Sequence, residues 1–217
     1  MARVRSDAFS SGTRSASKKS LHAAEQDRPD VAAARAELKS EQPSLKPLRL
    51  VFIDETSVTT KMVRQYGRCP RGERLVAKVP HGHWKTLTFI AGLRADGLTA
   101  PYIIDGTMDG PAFLAYIEHV LAPALAKGDI VFMDNLRTHK VAGVAEALRA
   151  VGAKVRYLPA YSPDLNPIEM LFAKLKTALR KGAARTVKAL WKLIGRLVKT
   201  IAPEECANYL RHAGYGL

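Results

Sequence analysis

Cysteine is scarce in this 217-residue chain: Cys69 and Cys206 are the only two, and neither belongs to a C-x-x-C pair. A disulfide framework and a zinc ribbon are therefore not expected, and a reducing, intracellular setting fits better. Long apolar runs are missing too. No uncharged apolar stretch approaches the roughly 18 residues that a membrane span needs, the longest being interrupted by Glu118 and Lys127. The opening MARVRSDAFSSGTRSASKKS has the Arg and Ser of a transit peptide but no apolar signal core, and it reads as a disordered lead-in. No internal repeat is present beyond two similar strand endings described below.

Acidic residues are the other shortage. There are 34 Lys and Arg against 20 Asp and Glu, a formal charge of +14. Between Met170 and Leu217 ten basic residues face only Glu204 and Glu205, with no acid before Pro203. This balance favours a polyanionic partner, nucleic acid before a membrane surface. Lys188, Lys192, Arg196 and Lys199 fall on one face of a helix. Val187, Leu190, Trp191, Ile194, Val198 and Ile201 fall on the other, which reads as core. A solvated basic face is the plainer reading, but the missing acids favour phosphate contact, which positions DNA without reading its sequence. Lys174 joins this group.

What is present suffices for one sizeable domain, since 47% of the chain is hydrophobic. An Ala-rich helix is expected over 27–42, stopped by Pro43, and a first strand over 48–54. Residues 57–84, rich in Gly and Pro, suggest a hairpin with irregular turns. Residues 85–93 and 98–105 read as an antiparallel pair. Then follow a helix (110–126), a strand (129–134), a helix (141–151), a strand (154–158), and helices at 167–181, 186–200 and 203–211. Strands first, then alternating helices and strands, predict a mixed sheet with helices on its faces. The division expected is an extension and linker over 1–45 and one domain over 46–217.

Two apolar runs end alike. LVFIDET carries Asp54 after four apolar residues, and IVFMDNLRTH carries Asp134 after four more. A third acid, Glu169, lies in AYSPDLNPIEMLFAKLK at the third position of a predicted helix, with Asn166 as N-cap and Pro167 at the first position. Each has a plain alternative: strand-end aspartates begin turns, and Glu169 closes a capping box with Asn166. Together they suit another task. Phosphodiester cleavage by two divalent ions about 3.5–4 Å apart needs acidic oxygens arriving from several places around a cleft. Hard Mg²⁺ accepts such oxygens without histidine or cysteine.

LVFIDET, IVFMDNLRTHK and YSPDLNPIEMLFAKLK closely resemble the catalytic core of the IS630-type transposases, in the IS630/Tc1/mariner group of DDE enzymes. The resemblance spans about residues 45–217, and 18–44 is similar to the family's linker. Asp134 and Glu169 are separated by 34 residues, the family's common spacing. The resemblance implies an RNase H-like five-stranded mixed sheet with helices on both faces plus C-terminal helices. It also implies Asp54, Asp134 and Glu169 as catalytic metal ligands for two Mg²⁺ or Mn²⁺ ions. The expected activity is metal-dependent DNA cleavage and strand transfer: water frees a 3′-OH at the element end, and that 3′-OH attacks target DNA. A bacterial, cytoplasmic, nucleoid-associated protein is implied, forming a homo-oligomer on element ends and target. Such proteins usually carry N-terminal helix-turn-helix modules, whereas here fewer than 50 residues precede the first strand. The expectation is therefore a catalytic half, either a truncated copy or the second reading frame of an element whose recognition half is encoded separately or joined by frameshift. The alternative is a catalytically inactive fragment that only binds DNA or interferes.

His139 is a candidate for touching substrate or metal-bound water, with a turn role as its alternative. His81 and His83 form an H-x-H with no third ligand in view and stay unassigned. Asn135 is expected to shape the pocket or turn, Asp164 to serve a turn, and Glu55 to point to the strand face opposite Asp54.

Overall fold

The computed structural model describes residues 23–64 and 66–216. The disordered lead-in expected for the first twenty-odd residues falls almost wholly outside the described range.

Five strands form one sheet: β1 (Leu50–Thr59), β2 (Thr86–Arg94), β3 (Gly97–Asp105), β4 (Ile130–Met133) and β5 (Lys154–Tyr157), in the order β3-β2-β1-β4-β5. β1 pairs antiparallel with β2 and parallel with β4, and β4 pairs parallel with β5. Because β1 and β4 are covered on both faces, their sequences run apolar without alternation. The expected antiparallel pair is β2 and β3, with a bulge between Ile90 and Gly92. A side chain at Gly92 would collide with Thr99 and Val51, so the close approach requires glycine there.

Alternation along β1 divides the core. Leu50, Phe52 and Val58 join Phe132, Leu171, Phe172, Leu175 and Leu210 on one face. Val51 and Ile53 join Phe113, Ile117, Val131, Val144 and Leu148 on the other. The first layer is built by α4 (Ile168–Gly182), α5 (Val187–Val198) and α6 (Pro203–His212), the second by α2 (Gly110–Tyr116) and α3 (Val144–Ala150). Ile168, Leu171, Phe172, Leu175 and Leu179 make a buried stripe along α4, the spacing of a helix that covers one sheet face. Phe52 stacks on Phe132 at 5.0 Å, and Tyr215 closes over both.

Four expectations need correction. The strand expected to stop at Asp54 continues to Thr59, because β2 pairs with it from Phe52↔Leu93 to Thr59↔Thr86. No hairpin forms within 57–84. Residues 60–85 form an exposed arm without helix or strand among its described residues. The helix expected over 110–126 changes to a π-helical turn at Ile117–Leu121 and a 3₁₀ turn at Ala122–Ala124. Pro123 has no N–H to continue the α-helical ladder, and the winding loosens before it. Trp191 is not core: it is 46% exposed, while Leu190 and Ile194 are buried.

The first helix, α1 (Pro29–Glu41), lies against the domain. Leu38 enters the larger core. Arg35 donates to Ser162 Oγ at 2.7 Å and bidentately to Asp164 at 2.8 and 2.7 Å, so Asp164 does more than turn the chain.

Candidate active site

Parallel pairing between β1 and β4 ends at Phe52↔Phe132. Beyond it β1 continues beside β2 alone, and a cleft of about 380 Å³ opens at the end of the shortened strand β4. Asp54, Asp134 and Glu169 all line it, with Asn135 and Asn166.

Asp54 shares its strand face with Leu50 and Phe52, so it points toward α4. It is 8% exposed. Its Oδ1 accepts from the Glu55 N–H at 2.8 Å and its Oδ2 from Asn166 Nδ2 at 2.9 Å. Burial, followed by the charges of Glu169 and Asp134, pushes its carboxyl up to about 8. Asp134 follows the last residue of β4, and its Oδ1 accepts from Leu136 N–H at 3.2 Å. Glu169 lies in the first turn of α4 and is exposed.

The capping box does not form. α4 starts at Ile168 and receives no side-chain cap, because the Asn166 amide turns to Asp54. The plain reading of Glu169 is thereby lost. Asn166, expected as a cap, is a part of the cleft that the local sequence concealed; its one outward sign is its position three residues before Glu169.

His139 is wholly buried. Its Nε2 lies 2.9 Å from Glu55 Oε2, and its Nδ1 makes a close ion-pair contact with Asp134 Oδ1 that lacks hydrogen-bond geometry. Burial pulls its pKa down, but the Asp134 and Glu55 carboxylates outweigh that and raise it to about 10. Glu55 faces away from Asp54 as alternation requires, and the pairing of Glu55 with His139 is new information from the fold.

The cleft fits a hard cation on its own chemistry. Three carboxylates line it and no lysine or arginine does, and the buried Asn166 Oδ1 has no hydrogen-bond partner. Like charges repel, and among the described residues no three His, Cys, Asp or Glu are already gathered tightly enough to hold an ion. Oxygen donors around a cleft with excess negative charge suit Mg²⁺ or Mn²⁺. His81 and His83 lie away from it, exposed on the arm.

The basic residues separate into two groups. Lys188, Lys192, Arg196 and Lys199 are all exposed on or just beyond α5. Lys192, Arg196 and Lys199 border a surface groove of about 510 Å³. Lys174 lies apart from them, with its Nζ 2.5 and 2.6 Å from the Glu205 carboxylate. The arm adds a basic stretch outside the C-terminal tail: Lys61, Arg64, Arg68, Arg71, Arg74, Lys78 and Lys85 against Glu73.

Comparison with solved structures finds the same fold in Mos1 transposase. A Mos1 mariner paired-end complex with Mn superposes with a TM-score of 0.76 at 18% identity, covering 94% of this chain and 64% of that one. A pre-cleavage Mos1 transpososome gives 0.75 at 17%, covering 95% and 65%. The Mos1 catalytic domain with Raltegravir and Mn gives 0.66 at 18%, covering 91% and 92%. The chain thus spans slightly under two thirds of the Mos1 chains in the DNA complexes and nearly all of the isolated catalytic domain. No curated protein matches its sequence. The family model of the DDE superfamily endonucleases matches residues 49–191, from the start of β1 into α5 and across all three cleft acids: the chain belongs to the DDE superfamily endonuclease family.

Proposed function

We propose that this chain is the catalytic part of an IS630-type transposase, which cuts DNA at element ends and joins the freed 3′ ends to a target. The observation that carries this reading is the convergence of Asp54, Asp134 and Glu169 on one cleft without a basic residue. Its support includes membership of the DDE family and the fold shared with Mos1 structures solved with Mn and Mg.

Asp54, Asp134 and Glu169 hold two Mg²⁺ or Mn²⁺ ions in this reading. Bound there, the ions supply activation of the attacking oxygen and charge for the leaving one. The protein's own contribution is placement. Two ligands stand on or beside rigid strands, Asn166 fixes the Asp54 carboxylate, and Glu169 enters from a helix start. The raised affinity of Asp54 for a proton makes ion binding compete with protonation. DNA lies along the exposed bases of α5, Lys188, Lys192, Arg196 and Lys199, where phosphate contact needs no sequence preference. Lys174, held by Glu205, contributes only if DNA displaces that carboxylate.

Residues 46–217 form the catalytic domain and 1–45 the extension and linker, of which α1 docks on the domain. A helix-turn-helix module is the partner this reading calls for at element ends, and the active form it calls for is a homo-oligomer on DNA in the bacterial cytoplasm.

The test is nicking of supercoiled plasmid by purified protein in Mg²⁺ or Mn²⁺ beside Asp134→Asn. Metal-dependent nicking by the wild type that the folded variant lacks is expected. Equal nicking by both would remove Asp134 from the site. No nicking by either, even with a helix-turn-helix half supplied, would leave the inactive DNA-binding fragment as the reading.

A further inference from the structure

His139 packs with the second core layer, wholly buried, yet its Nδ1 meets Asp134, which lines the cleft. It lies in the 3₁₀ turn Arg137–Lys140 that follows β4. The ring packs on Phe113, with centroids 4.4 Å apart and planes 31° from parallel. Its carbonyl accepts from Tyr157 Oη at 3.2 Å. Nε2 meets Glu55 of β1 and Nδ1 meets Asp134. Contacts from α2, β1 and the β4 terminus thus set the plane and rotation of the ring, while β5 holds the backbone beneath it.

The arrangement has a direction. β1 sends Asp54 into the cleft and the next residue, Glu55, to the opposite face of the sheet. There Glu55 holds the histidine that reaches round to the second cleft acid. Asp134 is otherwise lightly held: its side chain is 34% exposed and follows the end of a four-residue strand. Both groups that meet it, His139 Nδ1 and Leu136 N–H, engage Oδ1. Oδ2 is left without a protein donor among the described residues.

We propose that His139, held by Glu55, is a positioning residue that fixes the Asp134 carboxylate by Oδ1 and presents Oδ2 to a divalent ion. This rests on the reading of Asp134 as a metal ligand. Partners one step behind a ligand orient it, and their loss typically weakens metal binding about 10–100-fold.

The experiment is Mn²⁺ titration followed by electron paramagnetic resonance on the full chain without DNA, with thermal melts to verify folding. The variants are Asp134→Asn, His139→Phe, Glu55→Gln and Glu55→Ala. His139→Phe keeps a ring against Phe113 and removes both nitrogens; it is expected to bind Mn²⁺ about 10–100-fold more weakly. Glu55→Gln still offers an oxygen to Nε2 and should stay within about threefold of wild type, whereas Glu55→Ala should lose about tenfold. Wild-type affinity in folded His139→Phe would overturn the proposal. If that variant does not fold, the Glu55 pair decides: equal affinities for Gln and Ala would overturn it. Wild type binding no better than Asp134→Asn would reject the metal site itself and this inference with it. Wild type binding well, with Asp134→Asn impaired and His139→Phe unaffected, would reject the inference alone.

Discussion

At the residue scale, the site is governed first by burial of the Asp54 carboxyl in a partly dry cleft and then by repulsion from its neighbouring acids. Asp54 binds its proton more tightly in the folded protein than in the unfolded chain, with a pKa near 8 against an ordinary 3.8. Between these values unfolding releases a proton, so each rise in pH favours the unfolded state. Metal-free protein should therefore lose stability from about pH 4 to about pH 8, with a total on the order of a few kcal/mol. Asp54→Asn lacks this titration. Urea melts at pH 5 and pH 8.5 should show the variant gaining on the wild type as pH rises, and a constant difference would contradict the assigned cause. Asn166→Ala tests the other side of the same contact. Without the amide, Asp54 Oδ2 loses its donor and the carboxyl should hold its proton to still higher pH. The Mn²⁺ concentration needed for nicking at pH 7 should rise about tenfold, in line with the loss of a ligand-orienting partner.

At the element scale, the sequence was most legible where structure is local. The apolar run of β4, the antiparallel pair β2 and β3, and the stripes of α4 and α5 are each contained within one segment and its immediate neighbour. The spacing of Asp134 and Glu169 was legible only through the family resemblance, since α3 and β5 lie between them. Distant pairings were not legible. β1 passes Asp54 because β2, which begins 27 residues after β1 ends, continues to pair with it. Asn166 leaves its helix end for Asp54 across 112 residues, and Glu55 meets His139 across 84. Local rules favour a strand end at an acid and a cap at an asparagine, and tertiary contacts override both. The far end of the sheet holds another distant pair: Arg94, the last residue of β2, meets Asp129 just before β4, and Asp129 also accepts from Ala126 N–H at 2.8 Å. Removing one partner of a buried pair costs about 3 kcal/mol. Asp129→Ala should lower urea stability by about that amount and leave Mn²⁺ affinity unchanged. α5 makes a separate, electrostatic prediction. If its bases meet phosphates, Lys192→Ala with Arg196→Ala should reduce the slope of log affinity against log salt by about 0.9 for each phosphate no longer neutralised, measured on random-sequence duplex DNA. An unchanged slope would mark these bases as a solvated face.

At the scale of the whole molecule, the cleft lies at the junction of two core layers. Asp54 and Glu169 belong with the α4 layer, while Asp134 is held from behind by His139 in the α2 layer. The sheet between them is continuous, but its chain is interrupted in one conspicuous place. The 60–85 arm joins two strands that already pair along eight positions, and its described residues are mostly exposed. Arg185 donates to the carbonyls of Thr60 and Met62, and Lys61 lies over the Trp84 ring at 3.2 Å, so the two ends of the arm are anchored independently of its middle. Doubling the length of such a connection costs only about 0.6 kcal/mol of closure entropy.

Cleavage of the arm would then divide the protein without dismantling it. Within the described domain trypsin should cut first at Arg68, Arg71, Arg74 or Lys78, all exposed there. One fragment would carry β1 with Asp54, the other Asp134 and Glu169. The central strand would remain in place through its ladders, its core side chains and the docking of α1, and the nicked protein should elute as one species at micromolar concentration and retain Mn²⁺ binding. Dilution should separate the pieces and abolish that binding. For the cut chain, completeness of the three-acid cleft would become a question of association between fragments, with a dissociation constant where the intact chain has a covalent bond.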